Sequence, residues 1–220
     1  MINVVQEVNT ILKNQNKATG LTTGKVRSIS SILYRGLDDK SIETVFKICQ
    51  QLLEERKWAL GIIAYDWAFR VRNQYNEDTL FIFEKWLKEY VRGWGDCDDF
   101  CTHALGELVS QNNKLFPYIL KWTEHPDFWV RRASAVTLIY PIRKDKYQDI
   151  NPFLISDALM NDDHDLVLKG YGWMLKTLSQ KEPTNVFDYL MKNRKIMPRV
   201  SFRYALEKLE KELKERLMEA

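Results

Sequence analysis

Helical periodicity runs through this chain from end to end, and the same short signal returns at the head of successive helices. Lys57-Trp58-Ala59, Arg132-Ala133, Lys169-Gly170 and Arg203-Tyr204-Ala205 each place a basic residue and then small or aromatic residues at the start of an apolar segment. Between the basic residues the intervals are 75 (57 to 132), 37 (132 to 169) and 34 (169 to 203), the first about twice the others. Intervals of that size are those of helical-pair repeats. Asp127-x-x-Val130-Arg131-Arg132-Ala133 and Asp163-x-x-x-Val167-x-Lys169-Gly170 are the clearest copies. Such units stack as antiparallel helix pairs, each burying its apolar stripe on its neighbours. The expectation is therefore an all-α fold, an α-solenoid with a concave groove, forming a single domain over residues 1–220. The repeated cations would line one surface, turning a net charge of only +3 into a local positive track.

The elements can be read in order. Residues 2–17 place Val5, Val8, Ile11 and Leu12 on one stripe, closed by the turn and capping residues of Thr19 to Gly24. A second helix passes through Ile29, Ile32 and Leu33. Asp38-Asp39 opens a third, whose stripe is Ile42, Val45, Phe46, Cys49, Leu52 and Leu53. The run Trp58 to Tyr65 is apolar enough to need cover on most sides. Further helices are expected over 79–91, 95–110 and 114–124, and another after His125-Pro126-Asp127, with Pro in the first turn. Glu207 to Ala220 reads as a solvated terminal helix.

Low Gly and Pro (9 and 6) agree with helices, and 45% hydrophobic residues with a folded core. Met1 to Val8 has neither the basic region nor the apolar run of a signal peptide, and no apolar run is long enough to span a bilayer. A cytoplasmic protein with no membrane association is expected. Three cysteines form no disulfide framework. Cys97, Cys101 and His103 are spaced unlike a structural zinc knuckle, so the cysteines are read as buried small residues and no metal or other cofactor is expected. His103, His125 and His164 make no catalytic arrangement with a nucleophile, and no glycine-rich phosphate loop is present.

The chemistry-bearing stretch is Trp94-Gly95-Asp96-Cys97-Asp98-Asp99-Phe100-Cys101. On a helix, Trp94 and Asp98 share a face at i, i+4. Asp96 and Asp99 suit a helix start or a solvated face, whereas Asp98 lies on a less polar stripe and needs a partner or a role. Among seven tryptophans, Trp58, Trp86, Trp122 and Trp129 have Leu and Ile neighbours and read as core. Trp94 sits between Gly93 and Gly95. Trp173 follows Gly170-Tyr171-Gly172, where missing side chains would admit a ligand to the indole. For Arg131 and Arg132, phosphate contact and a salt bridge to the preceding repeat are equally open.

Taken in order, Trp94-x-x-x-Asp98, Trp129-x-x-Arg132-Ala133, Lys169-Gly170-x-Gly172-Trp173 and Met197-Pro198-Arg199-x-x-x-Arg203-Tyr204-Ala205 resemble the AlkD-type DNA alkylation repair glycosylases. The likeness covers nearly the whole chain and is weakest before about residue 50. It implies HEAT-like repeats around a positive groove for duplex DNA, and release of N3- or N7-alkylated purines such as 3-methyladenine and 7-methylguanine. It also implies Asp98 as catalytic carboxylate, Trp94 and Trp173 as aromatic partners beside the deoxyribose, and Arg132 beside the backbone. Arg131, Lys169, Arg199 and Arg203 are the further cations expected on the DNA. Members are thought to act on sugar and backbone without enclosing the base, and no base-pocket motif is evident here. A monomeric, monofunctional hydrolase acting on double-stranded DNA is expected, no lysine being placed as a Schiff-base nucleophile. The alternative is a non-catalytic helical-repeat module that binds structured DNA or a protein partner.

Overall fold

A computed structural model describes residues 4–219; Met1, the first two positions of the expected 2–17 helix and Ala220 lie outside them. Among the described residues there is no strand, and the chain is an all-helical repeat fold as expected. It divides into two compact units, one ending at Leu108 and the other beginning at Val109.

The first unit contains α1 (Val4–Thr19), α2 (Thr23–Arg35), α3 (Ile42–Glu54), α4 (Trp58–Arg70), α5 (Thr79–Tyr90) and α6 (Trp94–Phe100). A π-helical turn, Cys101–Leu105, leads from α6 into α7 (Gly106–Gln111), within which the division falls. The second unit holds α8 (Phe116–Lys121), α9 (Phe128–Val136), α10 (Ile139–Arg143), α11 (Pro152–Ala158), α12 (Asp165–Leu178), α13 (Pro183–Asn193), α14 (Arg199–Leu206) and α15 (Lys211–Glu219).

Local chemistry sets the boundaries. Gly20, at φ 70°, takes the left-handed conformation that ends α1. The hydroxyls of Thr22 and Ser41 accept from the amides of Lys25 and Thr44 and so cap α2 and α3. Asp127 and His164 cap α9 and α12 in the same way. Pro126 therefore precedes the cap instead of occupying the first turn of α9, whereas Pro183 does open α13. All six residues of the expected α3 stripe are buried. Of the tail expected as a helix from Glu207, α15 begins at Lys211, and Leu209 and Leu217 bury themselves, so it is not wholly solvated.

The caps expose the repeat more fully than the basic residues do. Thr22, Lys57, Gly93, Asp127, His164 and Pro198 precede α2, α4, α6, α9, α12 and α14 at intervals of 35 (22 to 57), 36 (57 to 93), 34 (93 to 127), 37 (127 to 164) and 34 (164 to 198). Counting five residues on from each cap gives Arg27, Ile62, Asp98, Arg132, Lys169 and Arg203. The long first interval in the sequence therefore hides a copy, in which an acid, Asp98, stands where three later repeats carry a base. Lys57 is itself a cap, and Ile62 holds the equivalent position in its repeat.

These equivalent helices pack side by side within each unit: α4 against α2 and α6, α12 against α9 and α14. In the first unit the core is aromatic. Phe46, Phe83, Trp86 and Phe100 meet at centroid distances of 5.2–6.3 Å. The buried indole N–H groups of Trp67 and Trp86 donate to the Ser30 carbonyl at 3.1 Å and to Gln50 Oε1 at 2.7 Å, removing the penalty of burying an unpaired donor.

Candidate functional site

Helix α6 is held from one side and open on the other. Cys97, Phe100 and Cys101 are buried, with Phe100 stacked on Tyr65 of α4 at 4.5 Å between ring centroids. Asp99 is ion-paired to Arg27 of α2 and lies 3.4 Å from His103 Nδ1. Its side chain is largely covered and ion-paired, which departs from its reading as a helix-start or solvated acid. Burial raises the Asp99 carboxyl above the ordinary value, opposed by the charges of Arg27 and His103. The π-helical turn follows directly, and Thr102 Oγ1 donates to the Asp98 carbonyl at 2.7 Å. Insertions of this kind recur at functional sites, where they aim the preceding turn.

With those residues fixed inward, Trp94 and Asp98 both line a cavity of about 800 Å³ contained within the first unit. Trp94 is 65% exposed, a large uncovered area for an indole, and Asp98 is half-buried. Asp96, also on the cavity, turns back over Gly93, so a Cβ built there would meet its carboxylate at 3.4 Å. It acts as a first-turn acid accepting from backbone amides at the head of the helix.

Burial raises the Asp96 carboxyl above its ordinary 3.8, Asp99 adds to the shift, and the amides of Arg92 and Gly93 oppose it. A carboxyl raised in the folded state binds its proton more tightly there than in the unfolded chain. Its contribution is therefore fully favourable below pH 3.8 and is lost as pH rises through the folded value. We expect the stability difference between wild type and Asp96→Asn to move towards the variant as pH rises from 3.8. Paired denaturation curves across pH check this, and a difference that is flat or moves the other way contradicts the burial argument.

In the second unit the expected cations divide sharply. Arg131 bonds Asp162 through Nε at 2.6 Å and Nη2 at 3.2 Å, and reaches Asp163 at 3.1 Å. Its Nη1 donates to the His125 and Pro126 carbonyls at 3.1 and 3.0 Å. Of the two open readings Arg131 takes the salt bridge, and it pairs with the following repeat instead of the preceding one. Asp162 is only 6% exposed, so Arg131→Met leaves a covered carboxylate without its guanidinium and is expected to destabilise by about 1–3 kcal/mol, read by urea denaturation.

Arg132 is 5% exposed, donates to the Leu166 carbonyl and packs on Gly170. Lys169 pairs with Asp165 at 2.5 Å and is half-exposed. Arg199 and Arg203 are exposed on α14. Trp173 is half-buried on α12, with the Arg143 guanidinium 5.7 Å above its ring. The glycines before it do not open space for a ligand as the sequence suggested. A Cβ on Gly170 would lie 3.3 Å from Arg132, and one on Gly172 would lie 2.8–3.0 Å from Tyr204 and the Ser201 backbone. They allow helices α9, α12 and α14 to approach.

Two tryptophans depart from the core reading: Trp58 is 46% exposed and Trp129 half-buried, while Trp86 and Trp122 are buried. Trp58 lines the same cavity as Trp94 and Asp98, as do Arg56 and Arg92, which sequence reasoning missed. The repeat spacing could have found Trp58, since it follows Lys57 as Trp94 follows Gly93. Cys49, Cys97 and Cys101 are buried, as expected, and form no disulfide. Among the described residues no group of three or more His, Cys, Asp or Glu side chains is arranged to hold a metal ion, and no helix is long and apolar enough to cross a membrane.

A family model described as DNA alkylation repair enzyme matches residues 4–209. No curated protein matches the sequence. Among solved structures, a protein from Enterococcus faecalis described as a predicted DNA alkylation repair enzyme superposes with a TM-score of 0.68 at 17% identity, covering 96% of each chain. Smu.31 from Streptococcus mutans UA159 does so with a TM-score of 0.66 at 18% identity, covering 94% of this chain and all of the other. At those identities the likeness is one of fold.

Proposed function

The chain belongs to the DNA alkylation repair enzyme family, and we propose that its activity is hydrolysis of the N-glycosidic bond of N3- or N7-alkylated purines in duplex DNA. One observation carries this reading. An exposed indole, Trp94, and a half-buried carboxylate, Asp98, sit one helical turn apart on the wall of the same cavity.

The chemistry calls for those two groups. Alkylation at N3 or N7 leaves the purine positively charged, so it departs without a general acid. As the C1′–N bond breaks, its electron pair neutralises the base and positive charge builds on the sugar. Asp98 stabilises that oxocarbenium-like sugar and orients the attacking water, whose oxygen bonds C1′ and whose proton passes to the carboxylate and then to solvent. The Trp94 face adds cation–π attraction of roughly 0.5–2 kcal/mol. Trp173 is the second proposed indole, and the exposed Arg199 and Arg203, with Lys169, are the proposed phosphate contacts. Arg131 and Arg132 support the helices that carry these groups. Direct alkyl transfer to sulfur fits poorly, because it needs an accessible thiolate and all three thiols are buried.

The test is incubation of the protein with duplex DNA methylated at N3 and N7, followed by chromatography of free purines. Release above the uncatalysed rate supports the reading. Binding without release indicates a non-catalytic repeat module.

A further inference from the structure

Arg56 and Arg92 stand on the cavity that holds Trp94 and Asp98, and both are exposed. They arrive from different elements, Arg56 just after α3 and Arg92 between α5 and α6, and both anchor on the carbonyl end of α5. Arg56 donates through Nη1 to the Glu89 carbonyl at 3.0 Å and lies 5.4 Å over the Tyr90 ring. Arg92 donates through Nη1 to the Lys88 and Val91 carbonyls at 3.1 and 2.6 Å. Carbonyl dipoles hold a guanidinium in place without cancelling its charge. Among the described residues no carboxylate pairs with either arginine, whereas on the same wall Lys57 is paired with Glu55 at 2.7 Å. The anchoring bonds use Nη1 alone, so each guanidinium keeps the Nε–H and Nη2–H edge that binds an oxyanion through two parallel bonds. Arg56 also holds φ 52°, a left-handed conformation in which glycine fits with less strain.

Resting on the function proposed above, we propose that Arg56 and Arg92 form a phosphate subsite for the lesion strand, holding the phosphodiesters on either side of the alkylated nucleotide so that its deoxyribose stands at Asp98. A sugar brought to that carboxylate carries a phosphate on each side, and the carboxylate repels both. The offsetting charge has to come from the same wall. Arg56 and Arg92 are two cations there that no acid has taken, and each presents a free edge shaped for a phosphodiester. Contact of this kind reads the backbone alone, so it needs no pocket for the base and carries no sequence preference. Both arginines are therefore positioning residues: they set where the strand lies and leave the bond-breaking step to Asp98.

The test is single-turnover purine release from a duplex with one 7-methylguanine, whose two flanking linkages are either phosphates or neutral methylphosphonates. With phosphates, Arg56→Gln and Arg92→Gln are each expected to lower the rate at subsaturating enzyme about five- to tenfold, to leave the rate at saturating enzyme within about twofold of wild type, and to flatten the log–log salt dependence by about one unit. With methylphosphonates the wild type falls by a similar factor and the variants fall no further. Arg56→Gly, which suits φ 52°, is expected to lose as much as Arg56→Gln and guards against one variant misfolding, which helical circular dichroism identifies. An arginine that only caps α5 gives the same loss on both duplexes. That result, or no loss with phosphates, overturns the subsite. Release by the wild type is read in the same assay. Release without the dependence on flanking charge keeps the chemistry and removes the subsite, and no release removes both.

Discussion

Asp98→Asn lowers the rate of purine release by about 100- to 1000-fold while duplex affinity stays within about threefold of wild type. The substitution keeps the shape of the side chain and removes its charge. Stabilisation of a cationic sugar is an interaction made in the transition state, so its loss falls on turnover and leaves ground-state binding in place. The phosphate contacts proposed for Arg199, Arg203 and Lys169 are not touched. Single-turnover kinetics with excess enzyme, set beside equilibrium binding, separates the two quantities. Equal loss of rate and affinity places Asp98 in DNA binding; unchanged release removes it from the chemistry.

Gly172→Val is expected to destabilise the second unit by at least about 3 kcal/mol, lowering the thermal midpoint by roughly 6–12 °C. Even the first carbon of a side chain at this position comes within 2.8 Å of Tyr204 Cβ and 2.9 Å of the Ser201 carbonyl oxygen. One of these contacts is backbone, which yields only if α12 and α14 separate. Gly172→Ala meets the same contact with an offset of about 1 kcal/mol from better helix propensity, and is expected to fall between the two. Gly95 is the control, because a Cβ there meets nothing within 4 Å, and Gly95→Ala is expected to cost no stability. A Gly172→Val protein with an unshifted midpoint contradicts the close approach of α12 and α14.

What the sequence disclosed follows from which interactions leave a periodic trace. The α3 stripe was readable because burial on one face of a helix repeats every three to four residues. The spacings of 37 and 34 were readable because a base recurs at one register position. The copy inside the interval of 75 was hidden because at Gly93 to Asp98 that base is an acid, and the cap that restores the register is a backbone conformation. Trp58 was read as core because α4 is apolar nearly all round, so no stripe marks which side faces solvent. Trp94 and Asp98 were identified by their i, i+4 spacing and by resemblance, and the shared cavity supplies the geometry that spacing alone lacks. The pairing of Arg131 with acids 31 and 32 residues later depends on how α9 meets the loop before α12, which no local pattern encodes. Gly170 and Gly172 misled for a related reason: a missing side chain looks the same in sequence whether it admits a ligand or a neighbouring helix.

The most direct measurement of the central claim is a product balance on a duplex carrying a single 7-methylguanine. The account predicts free 7-methylguanine and abasic sites in equal amounts, the strand unbroken and no protein–DNA adduct trapped by borohydride. Guanine left in the strand without its methyl group, or a strand cut through a trapped covalent intermediate, contradicts it.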